Sequence, residues 1–113
     1  MLEIIHIGAL ELRFLQSRES TSGSLDMFEM TLQPNARMPV PHHHESWDET
    51  VYGLAGTSSW RVGGADVELP PGAVVFIKRG VVHGFDNRSG APAATNPARM
   101  RETMLRYGLV PAP

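Results

Sequence analysis

Cysteine is absent from this chain of 113 residues, which excludes disulfides, thiolate metal sites, iron–sulfur clusters and a cysteine nucleophile. No apolar run approaches the roughly 20 residues that a membrane-spanning helix requires. The first 16 residues carry Glu3 and Glu11 and lack a basic start, so they do not read as a signal peptide, and the expected compartment is the cytoplasm. An excess of positive charge is missing too. Ten Lys and Arg against 12 Asp and Glu leave a formal net charge of -2, with no basic face to displace counterions from a nucleic acid. The expected partners are a small molecule and a second copy of the chain, not a nucleic acid or a membrane. The length suits one domain.

What the chain has in quantity is Gly and Pro, 11 and 9 of them, placed between short apolar segments. That punctuation is an all-β signal. Leu2 to Ile7 and Leu10 to Leu15 read as strands, followed by a Ser/Thr/Gly-rich loop from Ser17 to Ser24. Leu25 to Leu32 alternates, with Phe28, Met30 and Leu32 on one face. Further strands are expected at Thr50 to Ala55, Ser58 to Val62, Ala65 to Leu69, Val74 to Ile77 and Val81 to Asp86. Gly63-Gly64 has the signature of a two-residue hairpin turn. From Arg88 to Thr95 β-formers are scarce, and no strand is expected there. A helix is expected from Asn96, with Pro97 at its first position, a stripe of Met100, Met104 and Tyr107, and Gly108 as its stop. The expected division is a barrel over residues 1–95, then a helix and tail over 96–113, packed on the barrel or on a partner subunit.

The chemistry concentrates in one cluster. His42, His43 and His44 are followed by Glu45, Asp48 and Glu49, and His83 lies 34 residues beyond Glu49. In extended chain His42 and His44 face one way and His43 the other. Glu49 opens the next strand, and His83 comes from another. Three neutral imidazoles and a carboxylate suit a divalent first-row metal: Fe, Mn, Co, Ni, Cu or Zn. Glu45 and Asp48 compete with Glu49 for the carboxylate position. Strand alternation places Val51 and Phe85 inward, so Met38, Val51 and Phe85 are expected pocket walls. His6 reads as structural.

The segment from Ala36 to Gly56 resembles the first motif of the cupin superfamily, G-x5-H-x-H-x3/4-E-x6-G. The segment from Gly72 to Asn87 resembles the second, G-x5-P-x-G-x2-H-x3-N. His42, His44, Glu49 and His83 occupy the four metal-ligand positions, and Gly56, Gly72, Gly80 and Asn87 also match. Ala36 replaces a Gly and Lys78 a Pro, both at turns. The four-residue spacing after His44 favours Glu49 over Asp48. The resemblance implies a jelly-roll β-barrel (a double-stranded β-helix) around one divalent transition metal ion, with iron favoured by the three-His, one-Glu set. It implies a non-heme dioxygenase-type enzyme acting on a small oxygen-chelating compound. The alternatives are a non-oxidative isomerase, lyase or cyclase, and a non-catalytic binding module. Small cupins usually continue past the second motif with strands that finish the barrel. The sequence after Asn87 reads as shortened, so a strand from a partner subunit in a homodimer is expected to close it.

Overall fold

The segments between the Gly and Pro breaks form nine strands in the computed structural model, which describes residues 3–36, 41–43 and 47–100, Met100 by its backbone alone. In chain order they are β1 (Ile4–Ile7), β2 (Leu10–Gln16), β3 (Leu25–Leu32), β4 (Asp48–Ala55), β5 (Ser58–Val62), β6 (Ala65–Leu69), β7 (Val74–Ile77), β8 (His83–Asp86) and β9 (Ala93–Met100). They build a six-stranded sheet in the order β1-β2-β3-β9-β4-β7 and a three-stranded sheet in the order β6-β5-β8. All pairings are antiparallel.

Alternation decides which side chains go inside. Along β3 the even positions Asp26, Phe28, Met30 and Leu32 are buried and the odd ones only partly so. Phe28, Met30 and Leu32 share one core with Val51 of β4, Trp60 of β5, Leu69 of β6, and Val75 and Ile77 of β7. Both sheets thus feed one apolar interior, the arrangement of a jelly roll. The Gly63-Gly64 hairpin is as expected. Both glycines have positive φ (57° and 87°), which matches the twist of the strands they join.

The C-terminal expectations need correcting. Asn96 and Pro97 do not start a helix: Ala93–Met100 is a strand, central in the large sheet between β3 and β4. The expected boundary between residues 95 and 96 therefore falls inside β9, and residues 101–113, with the rest of the expected helix, lie outside those described. No partner strand is needed in that slot, because the chain fills it itself. Propensity misled here because position in the sheet outweighed it. Both neighbours offer a row of backbone donors and acceptors, and small residues such as Ala93, Ala94 and Ala98 meet them without crowding. Pro97 is accommodated by a break: the β3 ladder runs from Met27–Ala98 to Met30–Thr95, and the two residues between are skipped. On the other side Pro97 lies opposite Val51.

Two residues hold the end of this strand in place. Gly56 has φ +62°, and a Cβ there would stand 2.3 Å from the Pro92 carbonyl oxygen. Asn87, 1% exposed, ties three segments together. Its Nδ2 lies within 3.2 Å of the carbonyls of Leu32, Gln33 and Ala91, and its Oδ1 accepts from the Ser89 amide and hydroxyl.

Candidate functional site

His42 and His83 form an isolated antiparallel bridge beside the three-stranded sheet. Each donates its amide to the other's carbonyl, at 2.9 and 2.8 Å. Residues paired in this way project side chains to the same face. The imidazole centroids are accordingly 4.4 Å apart. The His83 Nδ1 lies 2.9 Å from the Val81 carbonyl oxygen. A carbonyl can only accept, so Nδ1 carries a proton, and in the neutral imidazole the lone pair is on Nε2. That Nε2 faces Glu49 Oε1 at 4.0 Å, and both side chains are almost wholly buried.

Glu49 arrives from the opposite sheet. In β4 it shares its face with the buried Val51, while Tyr52 is exposed. Geometry separates the adjacent carboxylates Asp48 and Glu49, while Glu45 lies outside the described residues. Asp48 is held away by Arg79, whose amide, Nε and Nη2 donate to it at 3.0, 3.3 and 3.2 Å. Glu49 Oε1 accepts from Arg99 Nε at 3.2 Å, and Arg99 lies directly across from it in the β4–β9 ladder. The Arg99 guanidinium carbon sits 5.0 Å from the Phe28 ring centroid.

These groups meet in a cavity of about 190 Å³. His42, Glu49, His83 and Arg99 supply its polar wall. Ile7, Leu10 and Leu12 of β1 and β2, with Phe28, Met30, Trp60, Phe85 and Pro97, supply an apolar one. Trp60 and Phe85 rings lie 4.8 Å apart, and the Trp60 indole donates to Ser58 Oγ at 2.8 Å. A wider cleft of about 410 Å³ lies at Asn35, Ala36, Asp86, Asn87 and Arg88. Among its described lining residues there is no imidazole, and Asp86 is bound to Arg88 there.

Of the expected site residues, His42, Glu49 and His83 come together and Phe85 lines the cavity. Val51 faces inward but is packed into the core, fully buried, and is not a wall. His44 and Met38 lie outside the described residues. His43 is exposed, as alternation requires. His6 is exposed beside Glu11. Among the described residues no three His, Cys, Asp or Glu side chains form a finished metal site. The donor chemistry present nevertheless fits such an ion. An imidazole whose Nδ1 is engaged by a carbonyl on the far side, a second imidazole beside it and a buried carboxylate face one space. Sequence reasoning missed Arg99, since a helix was expected there.

No curated protein matches the sequence significantly. Solved structures do match in fold. A predicted oxalate decarboxylase from Thermotoga maritima superposes with a TM-score of 0.80 at 24% identity, over 90% of this chain and 93% of its own. The polyketide cyclase RemF from Streptomyces resistomycificus gives 0.76 at 25% identity, over 89% and 75%. KdgF from a Halomonas species gives 0.76 at 15% identity, over 89% of each chain. The family model described as "Cupin domain" matches residues 28–95, from the first core residue of β3 to the start of β9, and the chain belongs to the cupin family.

Proposed function

We propose that this cupin holds one divalent transition metal ion, iron by preference, through His42, His44, Glu49 and His83, and acts as a dioxygenase-type enzyme on a small oxygen-chelating compound. Cupins commonly bind a metal ion. One observation carries the reading: the His83 Nε2 lone pair, set by the Nδ1 contact to Val81, faces the Glu49 carboxylate beside the His42 ring at the wall of a mainly apolar cavity. Bound there, the ion supplies Lewis acidity towards two adjacent substrate oxygens and redox chemistry towards dioxygen. The chain's own contribution is positional. The bridge to His42 fixes the two imidazoles relative to each other. Arg99 fixes the carboxylate. Phe28, Met30 and Phe85 exclude water from the reacting groups.

A non-oxidative isomerase, lyase or cyclase needs a protein group to move a proton. Among the described lining residues, the only acid–base groups are the three that face the ion and Arg99. That supports the oxidative reading. The test is metal analysis of purified protein, then oxygen uptake by the iron-loaded form with diketones, enediols, catechols and hydroxy acids. The expected result is about one ion per chain and oxygen consumption with at least one class. Absence of bound metal after loading, or anaerobic turnover of the same compounds at an equal rate, would overturn it.

A further inference from the structure

Arg99 stands apart from the other arginines of the described residues. Arg13, Arg18, Arg61, Arg79 and Arg88, like Arg99, each pair with a carboxylate, but none of them lines the cavity. Arg99 faces the cavity from the inward row of β9, which continues through the small buried residues Ala93, Thr95 and Pro97. It spends one donor, Nε, on Glu49 and makes no other side-chain hydrogen bond among the described residues. Its side chain is 27% exposed, against 5% for Glu49. The Phe28 ring lies against the guanidinium. A guanidinium held at Nε and braced by a ring presents its two terminal nitrogens as a preorganised fork, the geometry that matches a carboxylate.

Charge points the same way. Among the described lining residues Glu49 and Arg99 are the only charged groups when the imidazoles are neutral, and they cancel. A divalent ion leaves the cavity with an excess of two positive charges. A neutral chelator does nothing about that excess in surroundings built mainly of Ile, Leu, Phe and Trp side chains. A carboxylate reduces it, and uncompensated charge in such surroundings is strongly disfavoured. The volume, about 190 Å³, holds about six waters at ~30 Å³ each, so the acid is small.

We infer that Arg99 captures the carboxylate of the substrate, and that the substrate class is small 2-oxo or 2-hydroxy acids rather than neutral diketones. The inference rests on the metal-dependent reading above and sharpens it. The test compares pyruvate with butane-2,3-dione, which both present two adjacent oxygens but differ in the carboxylate. Binding is followed by the visible spectrum of the cobalt(II)-loaded protein. Wild type is expected to bind pyruvate at least tenfold more tightly than the dione. Arg99→Gln, which also loses the Nε donor to Glu49, is loaded with cobalt to the wild-type stoichiometry and is expected to lose that preference. A preference that survives in Arg99→Gln, or that wild type never shows, overturns the inference. Should Arg99→Gln fail to fold, Arg99→Lys decides. It keeps the charge without the fork, and is expected to bind pyruvate at least threefold more weakly with the dione unchanged; equal pyruvate binding counts against the proposal. Should wild type take up no cobalt, the metal reading fails by itself. Pyruvate titration of the metal-free protein, read by fluorescence of Trp60 in the cavity wall, then decides for Arg99. Quenching that disappears in Arg99→Gln upholds its role, and no quenching in wild type refutes it.

Discussion

Replacing Asn87 by alanine removes a side chain that serves five hydrogen-bonding partners at once. Its Nδ2 has two hydrogens for three carbonyls, those of Leu32 (3.1 Å), Gln33 (3.2 Å) and Ala91 (2.8 Å), so at least one bond is shared. Its Oδ1 accepts from the Ser89 amide at 3.0 Å and hydroxyl at 2.7 Å. Water can reach Ser89 and Ala91, which are at the surface, and their loss costs little. The Leu32 carbonyl belongs to a fully buried residue and is left without this donor, at about 1–3 kcal/mol. Adding about 1 kcal/mol for a second net bond gives a total of about 3 kcal/mol. For a domain of this size that corresponds to roughly 12 °C in Tm, at about 4 °C per kcal/mol. Urea unfolding followed by fluorescence, with Tm by calorimetry, reads it directly. Asn87→Asp is the decisive companion. It keeps the acceptor, loses the donor and turns a negative charge on three carbonyl oxygens, so it is expected to be at least as unstable as alanine. A cost below about 1 kcal/mol for alanine, within the range of an ordinary surface change, or an aspartate variant as stable as wild type, would refute the account of Asn87 as a clasp.

Gly56→Ala combines a left-handed φ with a Cβ placed 2.3 Å from the Pro92 carbonyl, and is expected to cost about 3 kcal/mol; an unchanged urea midpoint would contradict that geometry. Asp48→Asn and Glu49→Gln should separate two adjacent carboxylates by function. The first weakens the contact with Arg79 and lowers stability by about 2 kcal/mol while metal content stays at the wild-type level, whereas the second lowers metal content severalfold in the same preparation. Equal metal loss in both would show that position relative to Arg79 does not distinguish them.

Much of the barrel was legible because strands punctuated by Gly and Pro carry their own boundaries. Leu25–Leu32, Ser58–Val62, Ala65–Leu69 and Val74–Ile77 appear as expected, and the inward set of β3 follows from period two alone. Starts were less legible. β4 begins at Asp48 rather than Thr50, because Asp48 enters the ladder opposite Met100 of a strand that was not expected. β9 itself was illegible in principle from local pattern. Its residues are poor β-formers, and Asn-Pro imitates a helix start, while its actual state is imposed by the open edges of β3 and β4. The candidate site divides along the same line. His42, Glu49 and His83 were readable from spacing, since Glu49 and His83 sit on strands and His42 on extended chain that bridges to His83. Arg99 was not, since its place opposite Glu49 exists only once β9 is in the sheet.

The position of β9 also bears on how the molecule assembles. It comes last in chain order among the described strands, yet lies between two of the earliest. Until it inserts, β3 and β4 each present a bare edge, and Glu49 has no guanidinium across from it. Insertion therefore finishes the hydrogen-bond ladder and arms the cavity in one event. Partners so distant along the chain are slow to find each other, and unpaired edges meanwhile invite neighbouring molecules. A ribosome-bound nascent chain lacking this segment would thus be both inert and prone to aggregate.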